Sequence, residues 1–214
     1  MFCFDGANHS YNGHSSKTEG TLNVFHSNLD FRLNDKTALW IKGSGGSGKT
    51  TLLNIVSGQL VPSIGVVMRP TSCSYLNVND GARGLIATAT LKEAAFNNLF
   101  LRSSTVVTPD TVDKVLDFAE LTRSANKLVQ ELSGSEKGRL VGTLSTFCLA
   151  DVLIAEKIPS HSNREFQTKL YNAFEKQVEN CKFLFLASPN PKIASRICDS
   201  VCDLDRKNIT INKI

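Results

Sequence analysis

The stretch that decides the fold is GSGGSGKT, which runs from Gly43 to Thr50. Its members are Gly43, Ser44, Gly45, Gly46, Ser47, Gly48, Lys49 and Thr50, and they match the pattern G-x-x-x-x-G-K-[ST]. The preceding residues 37–42, TALWIK, are predicted to form a strand, and residues 49–57 a helix that Gly58 ends. The motif therefore has the strand, loop and helix context that it requires.

This loop predicts that the chain binds a nucleoside triphosphate. Glycines allow successive backbone N–H groups to point inward and surround phosphate oxygens, and the helix N-terminus adds the positive end of its dipole. We expect Lys49 to contact the β- and γ-phosphates, and the Thr50 hydroxyl to bind Mg²⁺, a hard ion that prefers oxygen ligands. Thr51, the next residue, belongs to the same phosphate-binding set.

The rest of the chain has the pattern of an α/β protein. Strands are predicted at residues 22–33, 65–68, 73–76, 151–155, 183–187 and 208–211, and further helices at 91–102, 110–121, 134–149, 164–179 and 192–198. Strands alternate with helices around a block of helices, which predicts a mainly parallel sheet with an inserted helical subdomain at about residues 88–148. We expect one domain over residues 1–214.

Composition narrows the function classes. A net charge of +4 without a basic block gives no argument for nucleic acid binding. Six cysteines without a CxxC pair predict buried free thiols in a reducing cytosol. The start has no signal-peptide pattern, and no window reaches the roughly 18 apolar residues that a membrane span needs. If the protein works at a membrane, we expect a partner to hold it there.

Two further segments indicate the family. GKTTLLNIVSG at residues 48–58, followed by LSGSEKGRL at 132–140, resembles the ATP-binding subunits of ABC transporters, whose signature is LSGGQ. In that family the signature completes the ATP site of the opposing subunit. The resemblance implies a homodimer or heterodimer with two ATP molecules at its interface. The partner-facing residues would be Ser133, Gly134, Ser135 and Glu136.

The start and the centre of the chain sharpen the resemblance. FDGANHSY at residues 4–11 matches the family's opening strand, which ends in an adenine-stacking aromatic, here Tyr11; an ordinary strand-end tyrosine is the alternative. DVLIAEKIPS at 151–160 and FQTK at 166–169 are similar to the capsular polysaccharide and O-antigen exporters. The resemblance implies a P-loop NTPase core of the ABC ATPase type, with an N-terminal antiparallel β portion. It also implies ATP, Mg²⁺, a separate transmembrane permease, and a peripheral location on the cytoplasmic face of the inner membrane.

The catalytic positions depart from the family. Glu156 lies seventeen positions after Arg139, where the family has the Walker B aspartate, and it could still hold Mg²⁺ through water. Lys157 then stands at the catalytic glutamate, which orients or deprotonates the attacking water. A lysine ammonium has no acceptor lone pair. Whether Lys157 binds a phosphate or faces a carboxylate stays open.

Three other family positions differ. Residues 188–190, SPN, stand where the switch histidine is expected, and the D-loop reads SHSN at 160–163 without its usual aspartate. No glutamine occurs between Gln59 and Gln130, so Asn77 or Asn79 would have to replace the loop glutamine that joins Mg²⁺ to the transmembrane partner. These departures predict a protein that binds ATP and hydrolyses it very slowly.

Three functions remain open from the sequence. The first is the energy subunit of a transporter, as a homodimer or as the degenerate half of a mixed pair. The second is an ATP-binding regulatory or scaffold subunit that pairs with an active ATPase. The third is a soluble P-loop kinase, which the signature helix and the absence of an arginine-rich lid disfavour.

Overall fold

The structure is a computed structural model that describes residues 1–12, 21–71, 73–82, 85–206 and 209–214. The chain forms two compact units. One unit consists of Met1–Cys73 with Lys182–Ile214, and the other of Ser74–Cys181. The predicted helices of the inserted subdomain lie in the second unit, and the single-domain organisation stays a prediction.

Strands and helices follow the chain in this order. The first unit begins with β1 (Phe2–Asn8), β2 (Ser10–Asn12), β3 (Thr21–Asn23), β4 (Leu29–Leu33), β5 (Thr37–Lys42), α1 (Lys49–Ser57) and β6 (Ile64–Met68). The second unit contains β7 (Tyr75–Asn77), α2 (Leu91–Arg102), α3 (Pro109–Phe118), α4 (Gly134–Phe147), β8 (Val152–Ala155) and α5 (Arg164–Asn180). The first unit ends with β9 (Phe183–Leu186), α6 (Pro191–Ile197), β10 (Ser200–Asp203) and β11 (Ile211–Lys213).

The first unit contains an antiparallel sheet in the order β4-β1-β6. Residues along β4 alternate between buried and exposed, with Leu29, Phe31 and Leu33 inward, as expected of a strand with one solvated face. The inward ring of Phe31 lies 4.5 Å, between centroids, from the ring of Phe4, its partner across the sheet. This sheet is the predicted N-terminal antiparallel portion.

Parallel pairing dominates elsewhere. In the first unit β5 lies between β10 and β9, parallel to both, and β11 is antiparallel to β10. In the second unit β7 is parallel to β8. All residues of β8 and β9 are buried, in keeping with their continuous apolar sequences. The predicted fold class is confirmed: an α/β fold with mainly parallel strands, an antiparallel N-terminal sheet and a helical region.

Two strand predictions were wrong in part, and one strand was missed. The predicted strand 22–33 is interrupted, because the side chain of Asn8 donates to the Phe25 carbonyl and accepts from the Phe25 N–H, each at 3.2 Å, and this holds a turn there. Strand β10 was missed, although it pairs along β5. The last strand begins at Ile211, and the Asn208 start predicted for it lies outside the described residues.

The cysteines are all free, as predicted, and five of the six are buried. Burial raises the pKa of the Cys198 thiol and of the Cys202 thiol to about 12. Both therefore stay protonated at neutral pH, which is typical of structural thiols rather than reactive ones.

Candidate functional site

The glycine loop leaves the end of β5 and enters α1. The glycines of this loop differ in their backbone φ and in the space around them. At Gly48 the backbone φ is +94°, and an added Cβ would lie 2.6 Å from Val24; at Gly43 it would lie 2.2 Å from the Ser47 hydroxyl. Gly46 has a φ of +80° with open space around it, as does Gly45 at an ordinary φ. Packing thus requires glycine at both ends of the loop, while its middle faces a free volume.

The side chain of Lys49 contacts the start of the loop. Its Nζ donates to the carbonyl oxygens of Gly43 at 2.8 Å and Ser44 at 2.6 Å. The neighbouring Thr50 is exposed, whereas the side chain of Thr51 is buried in α1. The ammonium and an accessible hydroxyl are therefore side by side at the helix start, where a triphosphate and its cation would need them.

Tyr11 forms the opposite wall of the same space. Its ring is 52% exposed, and its hydroxyl lies 3.3 Å from the Thr51 hydroxyl. Behind it the buried His9 ring meets Tyr11 edge-on at 4.7 Å, and His9 Nδ1 lies 3.1 Å from the Val61 carbonyl. His9 was missed as a supporting residue. Alternation along a strand does not signal it, because Ala7, Asn8 and His9 are buried in succession.

A cavity of about 570 Å³ joins these parts, which is within the usual range for small-molecule sites. It is lined by Tyr11, Asn23, Val24, Gly46, Gly48, Lys49, Thr50 and Thr51. The structure thus brings together the predicted base-stacking residue and most of the predicted phosphate-binding residues.

The signature segment begins a helix as predicted. Ser133 caps α4, accepting from the Glu136 N–H at 3.3 Å, and the Glu136 carboxylate accepts from the Ser133 N–H at 2.9 Å and from its hydroxyl at 2.8 Å. These bonds, first the backbone one and then the hydroxyl one, hold the pKa of Glu136 below its ordinary value. An added Cβ at Gly134 would have nothing within 4 Å. The helix start is ordered and its first glycine faces open space.

The end of β8 is held by an asparagine. Asn79 Oδ1 accepts from the Glu156 N–H at 2.7 Å and from the Lys157 N–H at 3.3 Å, while its Nδ2 donates to the Lys157 carbonyl at 3.3 Å. Asn77, the other predicted glutamine substitute, uses its side chain to accept from the Asn79 N–H. Both asparagines therefore serve backbone geometry.

Lys157 itself is exposed, and no hydrogen bond to its ammonium occurs within the described ranges. A facing carboxylate, one of the two partners considered from the sequence, is therefore not seen among those residues. Glu156, which is predicted to stand at the Walker B position, is half-buried. A carboxylate and an ammonium thus follow each other directly after β8, where the resemblance predicts two carboxylates.

Residues at the other departing positions have structural tasks. The buried Ser188 gives its carbonyl to Trp40 Nε1 at 3.1 Å, and Asn190 caps α6 by accepting from the Lys192 and Ile193 N–H groups. In the D-loop, His161 Nδ1 accepts from the Asn163 N–H at 3.1 Å. Its Nε2 therefore carries the proton and donates to the Ser135 carbonyl, 3.2 Å away.

The FQTK segment explains part of the subfamily pattern. Lys169 Nζ donates to the Phe118 carbonyl at 2.6 Å and lies 4.4 Å from the Phe118 ring centroid. Phe166 is buried, with the Arg139 guanidinium 5.4 Å from its centroid. Through these contacts α5 packs against α3 and the signature helix α4, so this motif is structural.

Among the described residues, no helix combines the length and the apolar character that crossing a membrane requires. Within the same ranges, no group of three or more histidine, cysteine or acidic side chains is arranged to hold a metal ion.

A family model described as ABC transporter matches residues 26–156. The chain is 24% identical over 178 residues to the teichoic acids export ATP-binding protein TagH of Bacillus cereus, covering 82% of this chain and 32% of that protein. It is 23% identical over 199 residues to TagH of Staphylococcus saprophyticus, covering 89% and 75%. The chain thus spans 32% of the length of the first relative.

Solved structures share the fold. The dimeric ATP-binding cassette MJ0796 bound to ADP and Pi superposes with a TM-score of 0.73 at 18% identity, over 100% of this chain and 98% of that one. A putative metal-chelate type ABC transporter in an inward-facing conformation gives a TM-score of 0.66 at 17% identity, over 99% and 82%. At these identities the likeness shows that this chain shares the fold of these structures.

Proposed function

The chain belongs to the ABC transporter family, and we propose that within it this protein is the ATP-binding subunit of a polysaccharide exporter of the inner membrane. Its task is to couple ATP binding, with slow hydrolysis, to export of the polymer by a separate permease. The observation that carries this proposal is the cavity between Tyr11 and the glycine loop, which offers an aromatic face for a base beside a cradle for phosphates.

The Mg²⁺ ion that accompanies ATP has two candidate protein ligands. Thr50 offers an exposed hydroxyl at the start of α1. Glu156 is the second candidate that the family resemblance implies, and its carboxylate would hold the ion through water. When bound, the ion neutralises phosphate charge. The oxygen-only character of these donors fits Mg²⁺, and Lys49 adds the positive charge that the β- and γ-phosphates require.

The signature segment supports a dimer. Ser133 and Gly134 start an ordered helix whose N–H groups are suited to a phosphate. A second subunit, identical or related, would bind the ATP whose phosphate this helix start contacts. Its own helix start would in turn contact the ATP bound to this chain. MJ0796, which shares the fold, is described as a dimer bound to ADP and Pi.

The polymer is inferred from the relatives. The TagH proteins are named for teichoic acid export, and the segments DVLIAEKIPS and FQTK are similar to capsular polysaccharide and O-antigen exporters. Teichoic acids, capsules and O-antigens are all long surface polymers. We therefore assign the substrate class as a surface polysaccharide and place the protein on the cytoplasmic face of the membrane.

The permease has a candidate surface in the second unit. A groove of about 660 Å³ is lined by Ile86, Ala89, Phe96, Pro109 and Val112 among others. Ile86 is 55% exposed and Phe96 39% exposed. The groove adjoins the segment that in the resembled family links the nucleotide site to the transmembrane partner, so an apolar cytoplasmic segment of the permease is its proposed occupant.

Lys157 favours a second candidate function. With an ammonium in place of the carboxylate that prepares the attacking water, this chain would be the catalytically degenerate half of a pair with an active ABC ATPase. Its role would then be to bind ATP and regulate or scaffold the active site of its partner. The two candidates differ in which second ATPase subunit is present.

Affinity purification from membranes tests both. The tagged chain is expected to copurify with a polytopic membrane protein, and its deletion is expected to reduce surface polysaccharide. A second ATPase subunit in the complex selects the degenerate-partner function, and two copies of this chain select the homodimer. Unchanged surface polysaccharide after deletion would refute export. Phe96→Asp should abolish copurification of the permease, and Val106→Asp, at an exposed position outside the groove, should not.

A further inference from the structure

Ser44 is the connecting point of the glycine loop. Its carbonyl accepts from Lys49 Nζ at 2.6 Å and from the Ser47 N–H at 3.3 Å. Its N–H and its hydroxyl both donate to one carboxylate, that of Asp205, with 2.8 Å to Oδ2 and 2.9 Å to Oδ1. Whatever fixes Ser44 therefore fixes the turn of the loop and the position of the lysine.

The pairing of β10 with β5 places Asp205 beside Ser44. Strand β10 pairs in parallel with β5, so that Asp203 lies opposite Lys42. The Leu204 N–H then donates to the Lys42 carbonyl at 2.9 Å, and Asp205 comes level with Ser44. Asp203 keeps this end of β10 in place, because its carboxylate contacts Lys42 Nζ at 3.3 Å and accepts from the Asp205 N–H at 3.2 Å.

We propose that Asp205 is a positioning residue for nucleotide binding: its two-pronged hold on Ser44 sets the glycine loop and Lys49 in their binding arrangement before ATP arrives. The proposal rests on the proposed binding of ATP at this loop. Because the Ser44 N–H donates to the Asp205 carboxylate, the phosphates would be bound by N–H groups further along the loop. Pre-organisation of this kind lowers the ordering cost of binding.

The negative charge of Asp205 would have the opposite effect on ATP affinity. Asp205 is a carboxylate beside a loop that binds anions, so repulsion alone would predict that removing it tightens ATP binding. Asparagine separates the two effects. Its Oδ1 can accept from the Ser44 N–H and its Nδ2 can donate to the Ser44 hydroxyl, so Asp205→Asn keeps the hold without the charge.

The test measures MgATP affinity by calorimetry for the wild type and for Asp205→Ala, Asp205→Asn and Asp30→Ala. Asp30 is an exposed carboxylate of the same unit, on β4, and serves as the matched control. We expect Asp205→Ala to weaken binding about three- to tenfold, because the freed loop must then be ordered when ATP binds. Asp205→Asn and Asp30→Ala should bind as the wild type does. Equal affinity of Asp205→Ala and wild type, or tighter binding by both Asp205 variants, would overturn the proposal.

Hydrogen exchange gives a readout that does not need ATP. In the nucleotide-free full chain, amides of residues 44–47 should exchange faster in Asp205→Ala than in the wild type, and return to the wild-type rate in Asp205→Asn. Unchanged exchange in Asp205→Ala counts against the proposal. If the wild type itself fails to bind MgATP, the proposed function falls, while the exchange experiment still decides whether Asp205 orders the loop.

Discussion

The glycine loop and the end of β8 differ in what they have kept. In the loop, every position of the phosphate-binding pattern is present. Packing requires glycine at positions 43 and 48, and a positive φ favours it at position 46. After β8, the resemblance to the family predicts that Lys157 stands in place of the general-base carboxylate, and Asn79 holds the backbone there through hydrogen bonds. The loop therefore keeps the residues that phosphate binding needs, whereas the segment after β8 keeps an ordered backbone without the expected second carboxylate.

This difference teaches that binding and hydrolysis place separate demands on the chain. Backbone N–H groups and Lys49 can bind phosphates without any general base. Water activation needs an acceptor, and its loss typically costs about 10²–10⁴ in rate. A chain that keeps the first set and loses the second is expected to bind ATP and turn it over slowly, which suits a subunit that acts through the bound state.

The largest effect is expected at the loop. Lys49→Ala removes the only side-chain ammonium that lines the described cavity, and we expect MgATP affinity to fall about 100-fold. Calorimetry would measure it, with Lys192→Ala, an exposed lysine of the same unit, as the control. Unchanged affinity in Lys49→Ala, with an unchanged unfolding midpoint, would contradict the role of this loop.

The next test changes the other region. Lys157→Glu restores the carboxylate, and single-turnover hydrolysis is expected to accelerate about 100-fold, the lower end of general-base effects because the switch histidine is also replaced. Lys157→Gln removes the ammonium without adding a base and should give little change. If the glutamine variant accelerates as much as the glutamate variant, electrostatic repulsion rather than the missing base explains slow hydrolysis.

A third test divides the binding site into base and phosphate parts. Tyr11→Ala should weaken ATP binding about tenfold, since stacking a base on an aromatic ring contributes about 1–3 kcal/mol. Inorganic tripolyphosphate lacks a base, so its affinity should stay the same in this variant. Tyr11→Phe keeps the ring and is expected to bind ATP nearly as the wild type does. Equal losses for both ligands would mean that Tyr11 supports the loop instead of the base.

The smallest effect concerns the signature helix. Ser133→Ala removes the side-chain cap and should lower the free energy of unfolding by about 1 kcal/mol at neutral pH, measured in urea, with Thr122→Ala as the exposed control. Glu136→Gln adds a pH test. Because the folded-state pKa of Glu136 is lowered, its ionised form contributes stability above pH 4.5, and this is lost as the pH falls below that value. If Glu136→Gln still lowered the free energy of unfolding at low pH, the capping role of the ionised carboxylate would be contradicted.

The sequence predicts most of the fold because its strongest patterns are local. The continuous apolar runs of β8 and β9 and the helical period of α2 need no partner to be recognised. Strand β10, with serine and aspartate in four residues, has no such pattern, and pairing with β5 makes it a strand. The turn at Phe25 likewise depends on Asn8, seventeen residues earlier.

The candidate site divides in the same way. The glycine loop is predictable because the residues that shape it are contiguous, and so is the Ser133 cap, because its partner Glu136 is three residues away. Asp205 reaches Ser44 across 161 positions, through strand order alone. No spacing in the sequence signals such a contact. His9, which supports Tyr11, is close in sequence, yet its role depends on the Val61 carbonyl from a distant segment.

We expect this protein to bind ATP through its glycine loop and to hydrolyse it slowly. The most direct measurement is MgATP affinity and steady-state turnover on one preparation of the wild type and of Lys49→Ala. We predict saturable binding that depends on Lys49, with wild-type turnover well below about 1 s⁻¹, the low end of ordinary enzyme rates. Turnover of about 1 s⁻¹ or faster that Lys49→Ala abolishes would contradict the claim.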